Sequence, residues 1–102
     1  MSVYMIVEAL EVMDKKKYGE YIRKVPATIE RFGGRYLVRG GEVTLVHGGW
    51  KPSRLIIVEF ASMDTFNAWF HSPEYGAIAP LREQGARTNA IVLEGGDPGD
   101  GK

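Results

Sequence analysis

The chain has 102 residues, with 13 Lys and Arg against 13 Asp and Glu, and it contains no cysteine. A zero formal charge argues against binding a phosphate backbone, which needs a cationic surface. The missing thiols exclude disulfides, thiolate catalysis and cysteine-bound metal. No stretch approaches the ~18 apolar residues of a membrane span, and no basic and apolar signal run opens the chain. A soluble, cytoplasmic protein is the expectation, with neither nucleic acid nor membrane as partner. Its length suits one domain, expected over residues 1–95, with a flexible Gly/Asp/Pro-rich tail over 96–102.

Val3 to Val12 alternates and is rich in β-branched residues, which predicts a strand. Val3, Met5, Val7 and Ala9 share one face; Tyr4, Ile6, Glu8 and Leu10 share the other. Asp14 suits a helix N-cap. Tyr18, Tyr21, Ile22, Val25, Ile29 and Phe32 then recur at helical spacing. Pro26 inside that run predicts a kink or short break near Val25, and Gly33-Gly34 a stop. Arg35 to Arg39 reads as a second strand, with Leu37 and Arg39 on one face. Val43 to Val46 is read as a short extension, followed by a turn at His47-Gly48-Gly49.

Arg54 to Ala61 is the clearest strand, and apolar residues on both of its faces predict a central position. Ser62 caps a helix carrying Phe66, Trp69 and Phe70. Ser72-Pro73 restarts it, because proline tolerates the first helical turn, and Gly85 stops it. Arg87 to Glu94 is the last strand. The order β-α-β-β-α-β predicts an α+β, ferredoxin-like four-stranded antiparallel sheet with two helices on one face. Its bare face would carry Tyr4, Ile6, Leu10, Leu37, Leu55 and Ile57. So large an apolar patch predicts burial against a second copy, as a two-fold homodimer forming a dimeric α/β barrel.

Four segments carry a resemblance. They are Gly33 to Gly41 (Gly-Gly-Arg-Tyr-Leu-Val-Arg-Gly-Gly), Trp50-x-Pro52-x-Arg54, Glu59-Phe60-x-Ser62 and Ser72-Pro73-Glu74-Tyr75. In this order and spacing the chain resembles the domain of unknown function 1330 family, a branch of the dimeric α/β-barrel group. The resemblance covers roughly residues 3 to 95 and implies the fold and the dimer. The family has no settled activity. Related groups include antibiotic-biosynthesis-type monooxygenases, haem-degrading enzymes and muconolactone-isomerase-like enzymes, an analogy of fold alone.

Strand parity places Glu8 and Glu59 on the face away from the helices, on adjacent strands and so near one another. Arg39 is expected on the same face beside them. One reading makes Glu59 or Glu8 a general base inside the barrel; the other makes the cluster a salt-bridge network fixing dimer register. Arg39 and Arg54 are candidates to clamp a ligand carboxylate. His47 is a candidate acid/base or haem ligand in a Gly-rich loop. Neither His47 nor His71 has metal-ligand spacing. Trp50, Trp69, Phe70, Tyr18, Tyr21 and Tyr75 are candidates to wall an aromatic pocket between helices and sheet, with Trp50 at a rim or a dimer contact.

Two functions stand open. The first is a small homodimer binding a small organic acid or aromatic ligand, with cofactor-free proton-transfer or oxygenase-type chemistry. The second is a non-catalytic structural or regulatory dimer whose charged strand residues only fix assembly. No cofactor is expected, since nucleotide and phosphate fingerprints are absent.

Overall fold

The computed structural model describes residues 1–96, so all but the first residue of the expected tail lies outside the described residues. The elements are β1 (Val3–Val12), α1 (Lys15–Arg31), β2 (Arg35–Arg39), β3 (Leu55–Phe60), α2 (Met63–Phe70), α3 (Pro73–Gly85) and β4 (Ala86–Glu94). The strands form one antiparallel sheet in the order β2-β3-β1-β4. This is the ferredoxin-like α+β arrangement predicted above, with β3 and β1 central.

Local chemistry sets the helix boundaries. The Asp14 carboxylate accepts from Lys16 N and Lys17 N, both at 3.1 Å. Ser62 Oγ accepts from Thr65 N, and Ser72 Oγ from Tyr75 N, again at 3.1 Å. Each satisfies an N–H that the first helical turn leaves without a partner. Of the kink or short break expected near Val25, the break does not occur: α1 runs unbroken through Pro26. Buried Tyr18, Tyr21, Val25 and Ile29 anchor the helix on both sides of the proline. That packing outweighs the roughly 3 kcal/mol a mid-helix proline costs.

The core lies between the helices and one face of the sheet. Trp69, Phe60, Ile29, Val3 and Val58 are its fully buried large side chains. The Trp69 and Phe60 rings lie 5.4 Å apart, and Trp69 Nε1 donates to Thr28 Oγ1 at 3.0 Å, so the indole is buried without an orphaned donor. Gly34 lets β2 leave α1 closely, because a Cβ there would meet Ile29 and Phe60 at 2.7 Å.

Two expectations fail around β2. Val43 to Val46 form no strand, and Gly40 to Arg54 is one irregular connection whose Leu45, Val46 and Trp50 are exposed. With no partner strand beside it, the β-branched run has nothing to complete its hydrogen bonds. The register also shifts between Tyr36 and Val38, so that Tyr36 pairs with Val58 but Arg39 with Ile56. One extra residue turns Arg39 onto the helix face, away from the face that strict alternation predicts.

Candidate functional site

A cavity of about 160 Å³ lies between α1, α3 and the sheet. Its walls are aliphatic toward β1 and β3, where Met5, Val7, Ile56 and Val58 face it, and aromatic toward the helices. Tyr18 and Tyr21 come from one face of α1 and stack with centroids 6.0 Å apart. Tyr75 comes from the first turn of α3, which the Ser72 cap positions. Tyr36 comes from β2, and Trp69 closes the floor, 4.4 Å from Tyr75. The α1–α3 contact is close because Gly85 sits against the backbone of Tyr18; a Cβ there would come within 2.7 Å of Tyr18 N.

A polar chain runs along this wall. The Tyr21 and Tyr75 hydroxyls are 3.0 Å apart. Arg82 Nε donates to the Tyr75 oxygen at 3.2 Å, and Arg82 Nη1 to Thr88 Oγ1 at 3.4 Å. Among the described residues, Arg82 is the one charged side chain in the lining. Burial works most strongly against its charge, but the hydrogen bond to Tyr75 and the nearby Tyr75, Tyr21 and Glu83 together outweigh it and hold its pKa above the ordinary arginine value. Burial pushes the Tyr21 hydroxyl far up, and the neighbouring Tyr75 adds to the shift. Burial also raises Tyr18, with Arg54 and Arg82 pulling the other way, and raises Tyr36 against the pull of Arg39. Tyr18, Tyr21 and Tyr36 are therefore O–H donors at neutral pH.

The sequence-predicted residues divide between two faces. Tyr75, with Tyr18, Tyr21, Trp69 and Phe70, lines the cavity as read from the helical spacing. Arg39 lies over the Tyr36 ring at 4.3 Å, and Arg54 packs against Gly40 on the same side of the sheet. Glu8, Glu59 and Trp50 lie on the opposite, open face. The expected closeness of Glu8 and Glu59 is corrected by the register, which pairs Glu8 with Leu55 and Glu59 with Tyr4 at the other end of the strand pair. The guanidinium beside Glu59 is Arg35, at 2.8 Å, and not Arg39. Arg35 holds the Glu59 carboxyl below its usual range, with help from Ser2 and Tyr4. Trp50 Nε1 donates to Glu8 Oε2 at 3.3 Å above a shallow hollow that Ile6, Leu55 and Ile91 also line. His47 is exposed in the β2–β3 connection and lines neither hollow.

The model of the DUF1330 family, a domain of unknown function, matches residues 2–96. The chain belongs to the DUF1330 family. No curated protein matches this DUF1330 chain. Among solved structures it is similar to a protein of unknown function from Rhodopseudomonas palustris, at 20% identity over 95% of this chain and 84% of that one, with a TM-score of 0.75. A dimeric ferredoxin-like protein of unknown function from Jannaschia sp. CCS1 matches at 10% identity over 92% and 99% of the two chains, with a TM-score of 0.70. SnoaB, a cofactor-independent oxygenase from Streptomyces nogalater, matches at 10% identity over 94% of each chain, with a TM-score of 0.62. These likenesses establish the fold of the DUF1330 chain.

Arg82, Tyr36 and Thr88 are the polar cavity residues that sequence reading of this DUF1330 chain missed. Arg82 lies one helical turn from Ile78 on the buried side of α3, which was the available signal. Tyr36 sits on the helix face of β2, where its alternation with Leu37 already places it, and Thr88 on the helix face of β4, which its pairing with Ala9 identifies.

Proposed function

We propose that the protein is a cytoplasmic homodimer, paired through its open sheet face, in which each protomer binds a single-ring aromatic molecule between helices and sheet. The observation that carries the reading is the cavity of about 160 Å³, apolar on the sheet side and edged by the Tyr21–Tyr75–Arg82 chain. A cavity of about 150 Å³ with apolar walls holds a benzene ring, and a few convergent polar groups orient what enters. Among the described residues, no carboxylate or imidazole lines the cavity. The reading is therefore binding, without a carboxylate or imidazole base to abstract a proton.

Pairing is supported by what the open face exposes. Ile91 is 60% exposed, Leu93 44% and Trp50 65%, beside the half-buried Tyr4, Ile6, Leu55 and Ile57. An apolar patch of this kind marks an interaction surface. The Arg35–Glu59 and Glu11–Arg87 ion pairs flank it, which favours assembly, not catalysis, as the work of the strand carboxylates.

The test is a titration with phenol, followed by backbone amide NMR. Saturable shifts are expected at Tyr18, Val25, Ile56 and Thr88. Absence of saturation, or shifts confined to Ile6, Leu55 and Ile91, would remove the cavity as the site.

A further inference from the structure

Arg82 lines this cavity, and the sheet register places two further arginines, Arg39 and Arg54, on the same face of the sheet. Ala9 N donates to the Arg54 carbonyl at 3.3 Å, and Ala9 pairs on its other side with Thr88. Arg54, Ala9 and Thr88 thus form one row across the sheet. Arg39, paired with Ile56, stands one rung away. Arg54 is in step with Ile56 and Val58 and so shares their cavity face. Arg82 closes the far end of the row through Thr88 Oγ1. Tyr18 stands within the influence of both Arg54 and Arg82, and Tyr36 within that of Arg39.

Neither Arg39 nor Arg54 has a carboxylate partner among the described residues. Glu30 is the acidic group whose charge reaches Tyr36 from this side. Arg39 stacks the face of its guanidinium on Tyr36, which leaves its edge N–H donors free. The Tyr18 and Tyr36 hydroxyls also lack hydrogen-bond partners among the described residues. Free guanidinium edges beside free hydroxyl donors form a place that lacks only an acceptor with negative charge.

We propose that the natural ligand of the cavity is a small aromatic carboxylate, its ring between Tyr75 and the sheet and its carboxylate among Arg39, Arg54 and the Tyr18 hydroxyl. This rests on the cavity being the binding site and adds the charge of the ligand. Other ring-bearing acids share this chemistry; neutral rings do not.

The test compares benzoate with benzamide, its neutral isostere, by calorimetry and Trp69 fluorescence. Benzoate is expected to bind about tenfold or more tightly than benzamide, the scale of a charge-assisted hydrogen bond. The advantage is expected to shrink in high salt. Arg54→Gln and Arg39→Gln should each remove most of this advantage of benzoate over benzamide. Circular dichroism of these exposed-site variants checks that they are folded. Equal affinity for the two probes, or an advantage that survives both substitutions, overturns the carboxylate assignment and leaves the cavity reading in place. Binding of neither probe overturns both.

Discussion

Arg35 Nε lies 2.8 Å from Glu59 Oε1 across the β2–β3 pair, on the face of the sheet opposite the cavity. The hydrogen bond from Arg35 lowers the Glu59 pKa, so its folded-state value lies below the unfolded one. The resulting stability is present above the unfolded value, near the ordinary 4.5, and is lost as pH falls through the folded value. Urea midpoints taken from about pH 7 to about pH 3 should fall less steeply for Glu59→Gln than for the wild type. Parallel curves would mean that the pair contributes no pH-dependent stability.

The Tyr21–Tyr75–Arg82 chain should behave as a unit. Tyr75→Phe leaves Arg82 Nε and the Tyr21 hydroxyl without a partner in a buried place, at a cost of roughly 1–3 kcal/mol. Tyr21→Phe removes one link and leaves the Arg82 contact intact. A double-mutant cycle between the two, read by urea denaturation, should give a coupling of about 0.5–3 kcal/mol. Strict additivity would show that the hydroxyls act independently.

Gly85→Ala tests the α1–α3 contact. Its Cβ would come within 2.7 Å of Tyr18 N and 3.0 Å of Tyr18 Cα, and backbone cannot yield as a side chain does. Destabilisation of roughly 1–3 kcal/mol is expected from overpacking. Because Tyr18 lines the cavity, phenol affinity should fall as well. An unchanged thermal midpoint together with unchanged phenol affinity would contradict the close approach.

Ile91→Asp places a charge on the open face, on the edge strand β4 beside Ile6. Ile91 is 60% exposed in the single chain, so the protomer fold should survive. Sedimentation should show a dimer for the wild type and a monomer for the variant, with phenol binding retained. A wild type that sediments as a monomer at dilute concentration would refute pairing through this face.

Some of this was legible in the amino acids alone, because local rules govern it. The alternation of Val3 to Val12 and the caps Asp14, Ser62 and Ser72 each depend on neighbours within a few residues. The helical spacing of Tyr18, Tyr21 and Tyr75 put aromatic side chains toward the sheet, which is where they line the cavity. Pro26 is the exception: its local preference for a break lost to packing that spans the helix.

What depends on register could not be read in advance. Alternation along Arg35 to Arg39 placed Arg39 on the open face, and one bulge between Tyr36 and Val38 reversed it. Glu8 and Glu59 share a face as expected, yet only the pairing of β1 with β3 sets them at opposite ends.

By itself, then, the chain's order of residues determined the four strands, the helices and their caps, and the greasy second sheet face, since each follows from side-chain chemistry and spacing along a few residues. The tertiary structure alone decided that Arg35 meets Glu59, that Arg82 joins the tyrosines lining the cavity, and that Arg39 turns to the helix face of the sheet. Those partners lie far apart in sequence, and a single inserted residue changes which side chains face one another.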